Sequence, residues 1–316
     1  MPRDFLHNHP QFADLIRIVA DEKGIDPALV EKDYWIMHGL YGLDELGFIF
    51  QLKGGTSLSK GHKIIGRFSE DIDILIEPFS GQDVKTGKNQ NSAAQIKSRT
   101  DFYDWLVGEI KVDGISNVER DTEFDDLPNY RSAGIKLNYT TVVEAMEGLR
   151  EGVLFEVGFD TVAPNAPKDI SSWVYDRAVA SNVDVIDNRA MAVPCYDAGY
   201  TFVEKLQTVS TKFRKQQADG SDPVGFMRHY YDIHELLQQP DVQEFIGTDS
   251  YKEHKKARFR QADNQNIAEN EAFILSDAGT RALYGDAYKR SSALYYAGKP
   301  TFEQILADIA KWTNKL

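Results

Sequence analysis

The stretch Lys53-Gly54-Gly55-Thr56-Ser57-Leu58-Ser59-Lys60 is followed by Gly61 to Phe68 and then by Ser69-Glu70-Asp71-Ile72-Asp73-Ile74-Leu75-Ile76. An apolar run (Phe48, Ile49, Phe50, Leu52) leads into the two glycines, which predicts a strand turning into a helix. The Asp-Ile-Asp-Ile alternation that follows predicts a strand with one polar and one apolar face. Because side chains on a strand repeat every second residue, Asp71 and Asp73 project from the same face, roughly 6–7 Å apart along it. Two carboxylates held together repel, and a divalent cation relieves that repulsion. A glycine turn beside them lets backbone N–H groups come close to an anion. The expected unit is strand–turn–helix–strand, carrying a metal-and-phosphate site.

Either half would be weak by itself, since Asp-x-Asp is common on solvated strand faces and Gly-Gly is usually a plain turn. Their order and spacing carry the reading. The P-loop pattern Gly-x4-Gly-Lys-Ser/Thr is excluded, because Ser59 stands where its second glycine belongs and Gly61 where a hydroxyl should follow the lysine. The combined string resembles the signature of the DNA polymerase β-like nucleotidyltransferase superfamily, a hydrophobic-Gly-Gly/Ser turn followed by Asp-h-Asp. More narrowly, Lys53–Lys60 with Arg67-Phe68-Ser69-Glu70-Asp71-Ile72-Asp73 resembles the AbiEii/AbiGii (MenA-type) toxin family.

At 316 residues the chain has room for two domains, and no apolar run approaches the roughly 20 residues that span a bilayer. The N-terminus does not read as a signal peptide. The single cysteine, Cys195, excludes an internal disulfide and a cysteine zinc cluster. A cytoplasmic protein is the expectation. The net charge of −13 argues against broad nucleic-acid binding and requires any positive groove to be local.

Helical spacing predicts a helix over 10–21. Asp26-Pro27 then reads as an N-cap with proline at N1, opening a second helix to about Gly39. Within it, Glu31-Lys32-Asp33-Tyr34-Trp35 recurs in AbiEii-like proteins; the plainer reading is a helix packed by Trp35 and Ile36 with its charges exposed. Pro78–Asn91 reads as a polar loop, 92–110 as a helix, and 117–126 as an acidic hairpin loop. Strands are expected over 131–139 and 152–159, a connector over 161–168, and a short strand over 183–186. From 197 the pattern is helical, with helices expected at about 197–217, 224–238, 241–247, 263–276 and 301–315. The predicted fold is α+β, with two domains over 1–196 and 197–316. The resemblance implies a polymerase β-like mixed sheet with flanking helices in the first, and a helical second domain that completes the active site.

Glu156 is the one ionisable group in Val153-Leu154-Phe155-Glu156-Val157-Gly158-Phe159. A lone carboxylate in an apolar strand is costly unless it is paired or binds a metal; the alternative is an outward position on an edge strand. The superfamily places a third carboxylate on a strand beside Asp-x-Asp, and Glu156 suits that role. Downstream, Phe202-Val203-Glu204-Lys205-Leu206 resembles the family helix whose lysine faces the nucleotide phosphates. Arg228-His229-Tyr230-Tyr231-Asp232-Ile233 resembles the helix whose last aspartate lines the active site, with His229 departing from the usual aspartate.

The resemblance implies a metal-dependent nucleotidyltransferase that releases pyrophosphate from an NTP. Asp71, Asp73 and Glu156 would bind Mg²⁺ or Mn²⁺, Gly54, Gly55, Thr56 and Ser57 would hold phosphate oxygens, and Lys205 and Asp232 would join the catalytic set. It further implies a toxin with a cognate antitoxin protein and the 3′ end of tRNA as acceptor. Lys212, Arg214 and Lys215, on the Lys205 helix, are candidate RNA-binding residues, as are Lys252, Lys255, Lys256, Arg258 and Arg260 around Tyr251 and Phe259. Ser69, two residues before Asp71, is a candidate regulatory position, because a phosphate there would add about −2 of charge. Two rivals stay open: a small-molecule nucleotidyltransferase of the antibiotic-modifying type, and an inactive binding module of the same fold.

Overall fold

In the computed structural model, which describes residues 3–291 and 295–316, the Asp-Ile-Asp-Ile alternation is a six-residue strand, Asp71–Ile76. Its isoleucines are fully buried and its acids half-buried, as the period-two pattern requires. The strands in chain order are β1 (Phe50–Lys53), β2 (Asp71–Ile76), β3 (Ile115–Asp121), β4 (Ser132–Tyr139), β5 (Val153–Gly158), β6 (Asn165–Ile170) and β7 (Ala190–Tyr196). Among the described residues they form one seven-stranded sheet in the order β3-β4-β5-β2-β1-β7-β6. β2 is antiparallel to β1 and parallel to β5, so the sheet is mixed and its two acid-bearing strands are interior neighbours.

The chain divides into two compact units. The first comprises the residues up to Gly61 together with Phe68–Tyr196, and holds the sheet with α1 (Phe12–Lys23), α2 (Pro27–Glu45), the one-turn α3 (Gly54–Thr56), α4 (Ala93–Glu109) and α5 (Trp173–Ala180). The second comprises Asp197–Leu316 and, unlike the expected division, also His62–Arg67. It contains α6 (Ala198–Asp219), α7 (Met227–Leu237), α8 (Pro240–Phe245), α9 (Asp249–Arg258), α10 (Glu271–Ile274), α11 (Ala278–Arg290) and α12 (Phe302–Trp312). Apart from an isolated bridge between Arg67 and Tyr295, the second unit shows no strand pairing among the described residues. The fold is α+β, and no helix among the described residues is long and apolar enough to cross a membrane.

Helix α2 is buried on almost every side. Asp26 caps it by accepting from the Ala28 N–H at 2.8 Å, and it runs six residues past the expected stop at Gly39. Gly39 is there for contact, since a Cβ at that position would lie 3.2 Å from Phe155 Cζ on the apolar side of β5. A polar loop is tied down by one arginine. Buried Arg99 on α4 donates to the carbonyls of Lys85, Gln90 and Asn129, which anchors the polar 78–91 segment.

Several expectations are corrected. Residues 117–126 are not a hairpin loop: β3 pairs with β4 and ends in a 3-10 turn, Thr122–Phe124. No strand forms over 183–186; β6 and β7 flank that position instead, and half of the expected 161–168 connector belongs to β6. The helix expected over 263–276 reduces to a 3-10 turn, Ile267–Glu269, and α10, whereas α9 and α11 were not anticipated. Both have weak apolar stripes, since α9 buries Tyr251 and α11 buries Tyr284, Ala287 and Tyr288 while exposing Leu283, and periodicity reads stripes.

Packing around α2 yields a test. A Cβ at Gly42 would lie 2.4 Å from Val112 Cγ2 and 3.0 Å from Val112 Cβ, too deep for a β-branched side chain to evade. Gly42→Ala should therefore destabilise by about 1–3 kcal/mol, less up to about 1 kcal/mol regained from helix propensity. In a Val112→Ala background the two Cγ contacts go and only the 3.0 Å approach of the Cβ remains, so the same substitution should cost clearly less. A loss of equal size in both backgrounds would show that Val112 is not the obstacle.

Candidate active site

The site begins where β1 ends. Antiparallel register places Lys53 opposite Asp73, so Gly54 follows directly past the acid. Gly54 has φ +70°, and a Cβ there would lie 1.9 Å from Asp73 Oδ2. Backbone conformation and space thus both demand glycine. On the other side of β2, parallel register pairs Asp73 with Glu156 and Asp71 with Leu154. Asp73 and Glu156 are direct neighbours on adjacent strands, about 4.8 Å apart across the sheet. β5 lies between β4 and β2, which removes the edge-strand alternative for Glu156. Asp71 shares their face but is turned toward Arg150, whose Nε lies 3.9 Å from its Oδ1.

The donor chemistry of these three carboxylates suits a hard divalent cation. Among the described residues, however, no group of three or more His, Cys, Asp or Glu is close enough together to hold one. The structure brings Asp73 and Glu156 together and leaves Asp71 beside the guanidinium.

The helix expected after the two glycines is one α-turn, Gly54–Thr56, followed by a wider π-turn, Ser57–Gly61. Its hydroxyls face inward. Thr56 Oγ1 is fully buried and donates to the Asp71 carbonyl at 2.7 Å, locking the turn onto β2. Ser57 is equally buried, with its hydroxyl against the Cys195 thiol. Thr56 and Ser57 thus turn their hydroxyls into the fold, and Gly54 and Gly55 keep the turn's backbone beside Asp73.

The charged tripeptide of α2 is a further correction. Glu31, Lys32 and Asp33 are not exposed: their relative exposures are 1%, 0% and 0%. Each serves a different partner. Glu31 accepts from Thr141 Oγ1 at 2.6 Å and from the Val142 N–H at 2.9 Å. Lys32 donates to the Arg150 carbonyl at 2.8 Å. Asp33 accepts from Lys60 at 2.6 Å and from the Trp173 N–H at 2.8 Å. Burial pushes the Asp33 carboxyl up, against the pull of Lys60. Burial likewise brings the Lys32 ammonium down to about 8, against Glu70 and Asp71. Sequence spacing alone could not reveal this, because three consecutive charges on a helix ordinarily signal a wet face.

In the second unit, Lys205 (α6) and Asp232 (α7) do meet, at 2.9 Å, but inside the unit. Asp232 is fully buried and also accepts two bonds from Arg67, at 2.6 and 2.7 Å. Burial would push its carboxyl up; Arg67 and then Lys205 more than reverse this and hold it well below the usual carboxylate range. The carboxylate thus holds the Arg67 guanidinium and the Lys205 ammonium together within the second unit. His229 lies 3.5 Å from Lys205, and burial followed by the charges of Lys205 and Arg228 keeps its ring neutral.

The positive clusters are also partly spent. Arg214 pairs at 2.8 Å with Asp263, while Lys215 is exposed and Lys212 half-exposed. On α9, Arg258 pairs with Glu204 at 3.2 Å, and Lys255 donates to the Leu316 carbonyl. Tyr251 and Phe259 are buried, so the aromatics expected to stack on bases belong to the core.

A family model described as nucleotidyl transferase AbiEii toxin, type IV TA system, matches residues 40–308. Among solved structures, an antigenic nucleotidyltransferase-like protein from Paracoccidioides brasiliensis is similar over 73% of this chain and 94% of its own. Its identity is 14% and its TM-score 0.37, too low to carry an argument. No curated protein matches the chain.

The Arg67–Asp232–Lys205 cluster gives a stability prediction with a defined sign. The folded carboxyl titrates below the unfolded value of about 3.9, so its contribution is complete above about pH 4 and is lost as pH falls toward the folded value. Asp232→Asn should cost about 3–5 kcal/mol at pH 7, because two buried cations lose their counter-charge. It should also flatten the fall of the thermal midpoint between about pH 4 and pH 2. An unchanged acid slope in the variant would place the acid-sensitive group elsewhere.

Proposed function

The chain belongs to the AbiEii nucleotidyl transferase toxin family of type IV toxin–antitoxin systems, and on that premise we propose that its first unit transfers a nucleoside monophosphate from an NTP to an RNA 3′ end, tRNA being the expected acceptor. The observation that carries the reading is the contact between turn and acid. Gly54 admits no Cβ because Asp73 occupies that space, and Asp73 is in register with Glu156. A glycine turn packed on a carboxylate strand pair sets an anion-binding backbone beside acids that bind cations. A solvated Asp-x-Asp face would need no such approach.

Asp73 and Glu156, in register on adjacent strands with Asp71 beside them, would hold Mg²⁺ or Mn²⁺, which when bound would neutralise phosphate oxygens and lower the pKa of the acceptor hydroxyl. The chain's own residues orient the reactants. The acceptor oxygen bonds to the α-phosphorus, the bond from that phosphorus to its bridging oxygen breaks, and pyrophosphate leaves with the electron pair while the hydroxyl proton passes to water. The backbone of Gly54 and Gly55 suits the triphosphate, and Thr56 holds the turn at the strand. Family membership also implies a cognate antitoxin as partner. Ser69 is half-buried two residues before Asp71, where a phosphate would crowd the acids with about −2 of charge.

Incubation with Mg²⁺, each labelled NTP, total RNA and a panel of aminoglycosides tests the reading. Label should enter RNA. Asp71→Asn or Asp73→Asn should lower transfer by about a hundredfold or more with little change in thermal midpoint. Near-normal activity in either variant would refute the carboxylate site, and label in the small molecules alone would favour the rival acceptor. Ser69→Asp should depress transfer where Ser69→Ala does not, and equal activities would remove the regulatory role. Lys212→Glu with Lys215→Glu should weaken RNA labelling and flatten its salt dependence. Unchanged RNA labelling in that variant would exclude α6 from the acceptor surface.

A further inference from the structure

The loop between β4 and β5, residues 140–152, is far longer than two adjacent antiparallel strands need, and loops of that kind usually carry function. It is held at both ends by buried charge from α2. Glu31 takes Thr141 and Val142, as described above, and Lys32 takes the Arg150 carbonyl. The Arg150 N–H is held in turn by Glu70 Oε2 at 3.0 Å, and Glu70 lies 3.7 Å from Lys32. Glu70 immediately precedes Asp71, so the backbone of Arg150 is pinned from both sides at the start of the acidic strand.

This pinning sets the Arg150 guanidinium where the fold otherwise concentrates negative charge. Its Cζ lies over the Phe124 ring, 4.2 Å from the centroid. Nε is 3.9 Å from Asp71 Oδ1 and Nη1 is 3.8 Å from Asp121 Oδ2, both beyond hydrogen-bond reach. Nε itself is buried without a hydrogen-bond partner. The neighbouring cations are differently committed. Lys60 is hydrogen-bonded to Asp33, Lys53 lies 3.5 Å from Asp160, and Lys32 is wholly buried. The Arg150 side chain keeps 35% of its surface exposed. A fork-shaped donor fixed by its backbone, lying over a ring and near acids that it does not hydrogen-bond is arranged for an acceptor that comes from outside.

We propose that Arg150 binds the non-bridging phosphate oxygens of the NTP and of the departing pyrophosphate, and that Lys32 and Glu70 act as positioning residues that hold it there. The inference rests on the nucleotidyl-transfer reading and adds to it a cation contributed by the first unit itself. A triphosphate approaching Asp71, Asp73 and Glu156 meets strong repulsion, and a guanidinium beside Asp71 offsets it while offering two parallel N–H donors to one phosphate. The same geometry explains why α2 buries two opposite charges in succession: both are spent on fixing one loop.

The test uses the full chain, inorganic tripolyphosphate with Mg²⁺ as the calorimetric probe, and NTP kinetics. Arg150→Gln should weaken tripolyphosphate binding by about tenfold and raise the KM for NTP more than it lowers kcat. Arg150→Lys keeps the charge opposite Asp71 and Asp121 but loses the fork, so it should recover only part of the affinity; it is the variant to read if Arg150→Gln does not fold. Lys32→Met should weaken the same probe in the wild-type background and add nothing to Arg150→Gln, because it acts through Arg150. Wild-type affinity in Arg150→Gln or full rescue by lysine would overturn the proposal alone, as would additive losses. If the wild-type chain binds no tripolyphosphate and transfers no nucleotide, the underlying reading falls with it.

Discussion

The close approach of Gly54 to Asp73 is the constraint on which the rest of the first unit depends. It requires β1 to run antiparallel to β2 with Lys53 opposite Asp73, so that the chain turns at the acid. It requires φ +70° at residue 54, and it is locked by Thr56 donating to the Asp71 carbonyl. A one-residue slip of β2 would send Asp71 and Asp73 into the core and Ile72 and Ile74 to the polar face. The three fully buried isoleucines of β2 oppose that slip, each being worth about 1.5–3 kcal/mol in burial. Hydrophobic pattern therefore fixes the position of the acids, and the acids fix the identity of residue 54.

Around that constraint the protein places charge with unusual economy of reach. Glu31 and Lys32 reach from one turn of a buried helix to the two ends of the 140–152 loop, and Asp33 reaches to Lys60 and the start of α5. Burying three consecutive ionisable groups is unfavourable in itself, since desolvation can exceed the Coulomb gain even for paired groups. Such an arrangement is weak as a source of stability and strong as a source of geometry. It holds Arg150, Lys60 and the start of α5 in defined places about the acidic strand and the glycine turn. The second unit repeats the device with Arg67, Lys205 and Asp232, again with the carboxylate wholly buried between cations.

Pairing also changes what the charge distribution means. In a chain of net charge −13, many basic residues that look available in the sequence are already matched. Arg214 belongs to Asp263, Arg258 to Glu204 and Lys255 to the Leu316 carbonyl. Lys212 and Lys215 retain exposure on α6, so a local positive surface is narrower than the run of bases suggests.

Much of the local geometry of the candidate site was legible in the sequence because its determinants are local. Two glycines after an apolar run and an alternating Asp-Ile strand specify turn, pleat and polar face from within about two dozen residues, using only backbone sterics and the period of a strand. Glu156 was legible for the same reason, as a carboxylate interrupting an apolar run. The neighbour that each residue meets was beyond that reach. That Glu156 pairs in register with Asp73, and that Asp232 is buried rather than open, were decided by tertiary packing. So were the inward hydroxyls of Thr56 and Ser57 and the burial of Tyr251 and Phe259 in the core. The charges of Glu31, Lys32 and Asp33 show the limit most clearly. Local pattern assigns consecutive charges to solvent, and only long-range partners, 27 to 140 residues away, make their burial affordable.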